Sequence, residues 1–368
     1  MALILTLVFG IINLIWLDMI RYGECTGILK VKGVDRVVRL NDVKKAHEKI
    51  QHSIHMTPII TSSQLNKHCE MEVFLKAEHL QKTGSFKIRG ATNAVMRAVA
   101  EGARFITAAS SGNHGQAVAY IAGQLGVPAV IVVPEDASRA KVEAIKGYGA
   151  EIEYCGLTSA ERIPRAKQCA KERNGVYIPP YDDLAVIAGQ GTIALEILEQ
   201  LPNIEVIVAP IGGGGLMSGI LCAVKKSKPE VRVVGVEPES ANDTYLSLQD
   251  GVITAISGTS TIADGLRTSQ PGNLTFPIIS EHLDELVLVS EEEIKEAFQF
   301  LLERTKQLVE PSGATALAAV MAGKVGKPNE KVAVVLSGGN VDLYQISTLL
   351  KNEMFNDELS GKKGSKEV

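Results

Sequence analysis

The chain has 368 residues, 45% of them hydrophobic and 22% charged. That balance excludes wholesale disorder and collagen-like repeats, and the length suits about two domains of ~150 residues. With 38 basic against 42 acidic side chains the formal net charge is -4, which gives no drive toward nucleic-acid phosphates or anionic membranes, so nucleic acid is not an expected partner.

The first element is an almost wholly apolar run over residues 1–17, closed by Asp18 and Arg21. It sits at the short limit for a spanning helix. It lacks the early basic residues and small-residue cleavage pattern of a secretory signal. Three readings stay open: membrane attachment confined to residues 1–17, a helix docked on protein, or a stretch upstream of the working start. Residues 1–36 therefore stand apart as an apolar extension. The five scattered cysteines, Cys25, Cys69, Cys155, Cys169 and Cys222, form no Cys-x-x-Cys pair. They read as reduced thiols of a cytoplasmic protein rather than a zinc site or disulfide framework.

Beyond the extension, short β-branched runs alternate with helical periods. The pattern predicts strands at 105–108, 129–133, 151–154, 206–209, 232–236 and 332–336. It predicts helices at 116–125, 138–148, 193–201, 216–225, 291–302 and 314–321. Such alternation implies an α/β fold of two open, mostly parallel-sheet domains with helices on both faces. Residues 104–181 read as a small domain inserted into a larger one built from 37–103 and 182–350. Residues 351–368 are a polar tail.

Open α/β sheets bind ligands beyond the carboxyl ends of their strands, and four segments would meet there. Residues 82–90 read KTGSFKIRG. Lys87, in a small apolar-leaning turn, is a candidate covalent amine because desolvation lowers a lysine pKa; an ordinary solvated lysine is the plainer alternative. Next come Ser110, Ser111, Gly112, Asn113 and His114, directly after a predicted strand. Free N–H groups at the following helix start make an anion turn that fits a substrate carboxylate, or a simple helix cap. Four consecutive glycines, Gly212, Gly213, Gly214 and Gly215, sit between a strand and a helix. They match neither a Walker loop nor the dinucleotide fingerprint, and suit a phosphate cup. Finally Ser337, in LSGGN at 336–340, presents a neutral hydroxyl at a strand end. A lysine, a phosphate cup, a carboxylate turn and a neutral hydroxyl together suggest pyridoxal phosphate.

The ordered set KTGSFKIRGA (82–91), SSGNHGQA (110–117), VIAGQGT (186–192), GGGGL (212–216), TIADG (261–265) and LSGGNVDL (336–343) resembles the fold-type II pyridoxal-phosphate enzymes, of tryptophan synthase β-like architecture. Within them it resembles the serine/threonine dehydratase and serine racemase group, over about residues 40–350. The resemblance implies that Lys87 is the Schiff-base lysine and that Phe86 packs beside the cofactor ring. Asn113 would contact the ring hydroxyl, Gly212–Gly215 would hold the phosphate, and Ser337 would meet the pyridine nitrogen. A serine there, unlike a carboxylate, would not keep the ring protonated, which suits β-elimination.

Ser111 separates the subgroups. Threonine dehydratases usually carry alanine there, and serine racemases carry serine, which would act on the face opposite Lys87. The implied activity is racemisation of serine with elimination to pyruvate and ammonia. The alternative is an L-threonine/L-serine ammonia-lyase or a hydroxyaspartate dehydratase. Glu237 and Asp243 lie six apart after a strand, with the Ala241 carbonyl between. By themselves they could ligate a hard cation, or Asp243 could cap a helix. The resemblance implies Mg2+ (or Ca2+ or Mn2+) at Glu237, Ala241 and Asp243. It further implies a homodimer acting on small hydroxy amino acids, with ATP as an activator at positions matching Ser62, Ser63, Lys82, Thr83, Asn113, Gln116, Tyr148, Lys306 and Asn340. Tyr181 departs from the asparagine usual in animal racemases and matches the aromatic-then-aspartate pattern of fungal racemases and many dehydratases.

Overall fold

A computed structural model of the chain describes residues 38–350. The apolar extension, Cys25 and the polar tail lie outside the described residues. In chain order the elements begin with α1 (Leu40–Ile50), β1 (Ile59–Thr61), α2 (Ser63–Cys69), β2 (Glu72–Ala77) and α3 (Lys87–Ala100). There follow β3 (Ile106–Ala109), α4 (Asn113–Gln124), β4 (Ala129–Val133), α5 (Arg139–Gly147), β5 (Glu151–Tyr154), α6 (Ser159–Glu172) and β6 (Val176–Tyr177). Next are α7 (Leu184–Gln200), β7 (Val206–Pro210), α8 (Gly215–Ser227), β8 (Arg232–Pro238), α9 (Asp243–Asp250) and α10 (Thr275–His282). The last are β9 (Glu285–Val289), α11 (Glu291–Phe300), α12 (Pro311–Met321), β10 (Lys331–Leu336) and α13 (Leu343–Leu349).

The strands form two sheets. One has four parallel strands in the order β5-β4-β3-β6, all drawn from residues 106–177. The other has the order β1-β2-β10-β7-β8-β9 and takes its strands from both sides of that segment. Only β1 in it runs antiparallel. β4 (AVIVV) and β7 (VIVAP) are buried along their whole length, as expected where helices cover both faces of a sheet. The α/β architecture matches the expectation, with all six predicted strands present. β1, β2, β6 and β9 add to them. β1 and β6 are two or three residues long, too short for a pattern to register. β2 hides a lysine, Lys76, at full burial.

α7 begins at Leu184, nine residues before its predicted start, and takes in Gly189 and Gly191. Their helical cost is offset by close packing. A Cβ at Gly191 would stand 2.6 Å from the Gly219 carbonyl oxygen, so the backbones of α7 and α8 touch there.

The same helix supplies one carboxylate, Glu196, of a buried ionic cluster. Arg89 on α3 gives Nε and Nη2 to Glu78 (2.8 Å each), and Nη1 and Nη2 to Glu196 on α7 (2.6 and 2.8 Å). Lys76 Nζ donates to Glu196 (2.6 Å), to the Thr57 carbonyl (2.8 Å) and to Gln200 (2.9 Å). All four charged side chains are buried. Burial alone would raise the Glu78 carboxyl. The Arg89 charge and hydrogen bonds, with Lys76, hold it below the ordinary carboxylate value. Burial pushes the Lys76 amine down, outweighing Glu196 and Glu78. Truncating one member of such a cluster strands the opposite charge in a medium that cannot solvate it. Glu196→Ala is therefore expected to cost about 3–5 kcal/mol of folding stability, measured by urea unfolding. A loss of the size typical for surface pairs would show that the cluster contributes nothing special.

Candidate active site

Lys87 is the first residue of α3, and the chain before it is fixed by the turn after β10. Phe86 N–H donates to the Ser337 carbonyl (3.0 Å), Gly339 N–H to that of Gly84 (2.8 Å), and Ser85 bridges to Gly338. This zipper sets Lys87 beside the end of β10, where Ser337 stands. Lys87 Nζ donates to the Pro180 carbonyl (2.9 Å) and lies 5.1 Å from the centre of the Phe86 ring. Burial lowers its pKa to about 8, while the nearby Glu310 carboxylate opposes the shift.

The 110–114 turn joins β3 to α4. Ser110 Oγ accepts from Gly112 N–H (3.3 Å), and the Ser111 hydroxyl makes no protein hydrogen bond among the described residues. His114 Nε2 lies 2.9 Å from the Ile178 carbonyl. A carbonyl can only accept, so Nε2 carries the hydrogen and Nδ1 is an unprotonated acceptor, buried and without a protein partner. Burial first, and the Lys87 charge second, push this imidazole down to about 3, so it is neutral. Asn113 Nδ2 donates to Glu310 (2.6 Å), and its Oδ1 accepts from Asn340 (2.7 Å). Asn340 also donates to the Thr83 carbonyl (2.8 Å). Burial raises the Glu310 carboxyl to about 7; Asp264 adds to the rise and the Asn113 bond opposes it. Ser337 is buried, with its hydroxyl 3.3 Å from the Ser312 carbonyl.

The glycine loop closes the same region. None of the N–H groups of Gly212, Gly213 and Gly214 reaches a protein acceptor among the described residues, and α8 follows directly with its own free first-turn amides. The Tyr181 ring packs on the loop so closely that a Cβ on Gly213 would stand 2.4 Å from it. Burial, Asp182 and Asp243 raise the Tyr181 hydroxyl to about 12. Unclaimed amides at a helix start and a low-pKa amine are what a phosphorylated aldehyde requires, so these residues fit pyridoxal phosphate.

The expected cation residues are also close to one another. Glu237 near the end of β8 accepts the N–H groups of Thr244 (3.1 Å) and Tyr245 (2.8 Å), so it caps α9. Both Asp243 oxygens face the Thr268 hydroxyl (3.1 and 3.3 Å). Burial, then the Asp243 charge, raise Glu237 to about 8; burial raises Asp243 to about 7. Ala241 is buried in the loop between them. Among the nucleotide candidates, hydrogen bonds unite Thr83, Asn113 and Asn340. Ser62 caps α2 (3.3 Å to Leu65 N–H), with Ser63 opening that helix. Tyr148 stacks edge-on against Tyr120, Gln116 is buried on α4, and Lys306 folds back on the Glu303 carbonyl. Lys82 is half-buried, its N–H on Gln81 (2.9 Å). Glu310 and Thr275 were not foreseeable from motifs, and Asp182 stood in the aromatic-then-aspartate pair without an assigned role. Glu310 reads as an ordinary residue before a helix-starting proline, and no local signal announces its contact with Asn113.

Residues 50–338 match the profile of the family described as pyridoxal-phosphate dependent enzymes. The chain is similar to the serine racemase of Dictyostelium discoideum, with 46% identity over 318 residues, covering 85% of this chain and 98% of that protein. The crystal structure of that racemase matches with a TM-score of 0.78, covering 83% of this chain and 99% of that one. The chain is also similar to an L-threonine ammonia-lyase of Thermotoga maritima, with 42% identity over 315 residues, covering 85% of this chain and 78% of that protein.

The shifted amine can be checked without any cofactor. Reductive methylation across a pH series, read by peptide mass spectrometry, should place the Lys87 midpoint near 8. Glu310→Gln should move it lower still, because the carboxylate that favours the charged amine is gone. A midpoint in the range of surface lysines would contradict the assigned environment.

Proposed function

The chain belongs to the pyridoxal-phosphate dependent enzymes, and from that premise we propose that it interconverts L- and D-serine and also eliminates water from serine, giving pyruvate and ammonia. One observation carries the reading: a buried amine of pKa about 8 shares the site with a serine, Ser111, whose hydroxyl is left free by the protein. The similarity to a racemase along 98% of its length supports it.

When bound, the cofactor supplies an aldehyde that bonds amines and a ring that draws electrons from the adjacent carbon. Lys87 would hold the cofactor through that aldehyde. As a free amine Lys87 would take the α-proton, which a pKa near the working pH favours. Ser111 returns a proton from the opposite face, giving the other enantiomer. The amides of Ser110–His114 at the start of α4 hold the substrate carboxylate. Gly212–Gly215 would hold the phosphate, with Phe86 beside the ring. Asn113, clamped by Glu310 and Asn340, would meet the ring hydroxyl, and Ser337 would offer the ring nitrogen a neutral hydroxyl.

Glu237, Asp243 and the Ala241 carbonyl would hold Mg2+ (or Ca2+ or Mn2+). Two neighbouring carboxyls pushed up to about 8 and about 7 form a site where a divalent cation restores the charged forms. Activation by ATP and a homodimer belong to the same reading. Leu343 and Tyr344, 72% and 90% exposed close after Asn340, offer apolar surface to a second copy. An L-threonine ammonia-lyase is the second reading, supported by the Thermotoga relative and by Tyr181 over the glycine loop. No helix among the described residues is long and apolar enough to cross a membrane.

Chiral analysis of the products of L-serine, with pyruvate measured alongside, tests the main reading. Ser111→Ala should abolish D-serine while elimination continues. Equal loss of both would reduce Ser111 to a turn residue, and a wild-type protein forming pyruvate alone would favour the lyase. Asp243→Ala should weaken the gain in activity and melting temperature on adding Mg2+. An unchanged response would remove the cation site.

A further inference from the structure

We propose that Asp182 and Thr275 are positioning residues for the cofactor phosphate: they fix the Gly213–Gly214 peptide so that the Gly214 N–H is presented to the anion. The inference deepens the pyridoxal-phosphate reading above and rests on it.

The argument starts from the planarity of the peptide bond. In a trans peptide the C=O and the following N–H point in opposite directions. Whatever holds the Gly213 carbonyl therefore aims the Gly214 N–H the other way. Thr275 Oγ1 donates to that carbonyl at 2.7 Å, and the Gly272 N–H approaches it at 3.4 Å. The peptide needs this hold, because Gly214 adopts φ +88°, a left-handed conformation only glycine enters freely. Without an external contact, a glycine run samples many orientations.

Thr275 is fully buried, and its hydroxyl is used in both directions. It gives its one hydrogen to Gly213 and accepts from Gly272 N–H at 2.9 Å. Its backbone carbonyl accepts from Ser218 Oγ on α8 at 3.2 Å. The turn that carries it is held in turn by Asp182. That carboxylate accepts from Asn273 N–H (3.1 Å) and Leu274 N–H (2.8 Å). It lies so close over Gly272 that a Cβ there would come within 2.3 Å of Oδ1. The neighbouring Tyr181 ring packs directly on Gly213. Residues 181 and 182 thus grip the loop twice, once by contact and once through the 272–275 turn.

The cofactor-free full chain is titrated with pyridoxal phosphate and, separately, with pyridoxal, which keeps the aldehyde and lacks the phosphate. Absorbance of the lysine-bound form reads each Kd. Thr275→Val keeps the shape and removes the donated hydrogen. It should weaken pyridoxal phosphate about five- to tenfold, the worth of one hydrogen bond, and leave pyridoxal within about twofold. Thr275→Ser should restore the affinity. Asp182→Asn retains one acceptor oxygen and should fall between wild type and Asp182→Ala. Adding Asp182→Ala to Thr275→Val should cost little more than either alone, because both act on one peptide. Equal weakening of both ligands, or no change in either, overturns the proposal. Absence of any borohydride-trapped adduct on Lys87 in the wild-type chain is a different failure, one that removes the cofactor reading itself.

Discussion

The site depends on Arg89. Its planar guanidinium is met on one side by Glu78 and on the other by Glu196, with both carboxylates engaged by two nitrogens. Two cations and two anions cancel, so the cluster can be buried without net charge. Its value to the molecule is direction. Apolar packing of equal area would hold α3 in place without fixing its rotation or its position along the axis, since apolar attraction is non-directional. Paired guanidinium–carboxylate bonds tolerate little of either movement. Lys87 sits two residues before Arg89 on the same helix, so its position is set by the same clamp. The zipper between residues 84–86 and 337–339 fixes the other side of Lys87.

Within this frame burial acts on acids and bases in opposite directions, disfavouring the charged form of each. Lys87 is brought down to about 8, His114 down to about 3, and Glu310 up to about 7. No arginine is brought to the glycine loop by the described hydrogen bonds. Negative charge arriving on a phosphate and a carboxylate would be met by backbone N–H groups at the starts of α8 and α4. That division has a chemical consequence. Fixed dipoles can hold anions without adding a mobile proton or a full positive charge beside Lys87. The amine is left to change its protonation state on its own account.

The parts legible in the sequence are those whose physics is local. A glycine run between a strand and a helix announces unclaimed amides. A small-residue turn after a β-branched run announces an anion-sized pocket, and strand–helix alternation announces parallel sheets. Lys87 was legible only through its neighbours, since a lone lysine carries no signal. The illegible parts are contacts between distant residues. Arg89 and Glu196 are 107 positions apart, and Asn113 and Glu310 are 197 apart. β2 is disguised for the same reason: Lys76 looks like a surface residue until Glu196, 120 positions away, neutralises it. Thr275 and Asp182 belong to this class. Each reads as a common turn or helix-start residue, and only the fold brings them to the glycine loop.

One of these distant contacts decides an orientation that sequence could never reach. The Thr83 carbonyl can only accept, so the group that Asn340 turns toward it must be the amide nitrogen. The same nitrogen therefore also donates to Asn113, which makes the Asn113 atom facing it the oxygen. The Asn113 nitrogen is then left to face Glu310, to which it donates. A backbone carbonyl at one end thus fixes the polarity of the whole chain, and one Asn113 N–H remains unassigned. Through that remaining N–H, Asn113 approaches a further group as a donor. If that group is the hydroxyl of a bound ring, the ring oxygen must accept, which favours its deprotonated form over the neutral phenol. Glu310, though never in contact with the ring in this arrangement, would help select the ring's charge state by keeping the Asn113 amide from turning over.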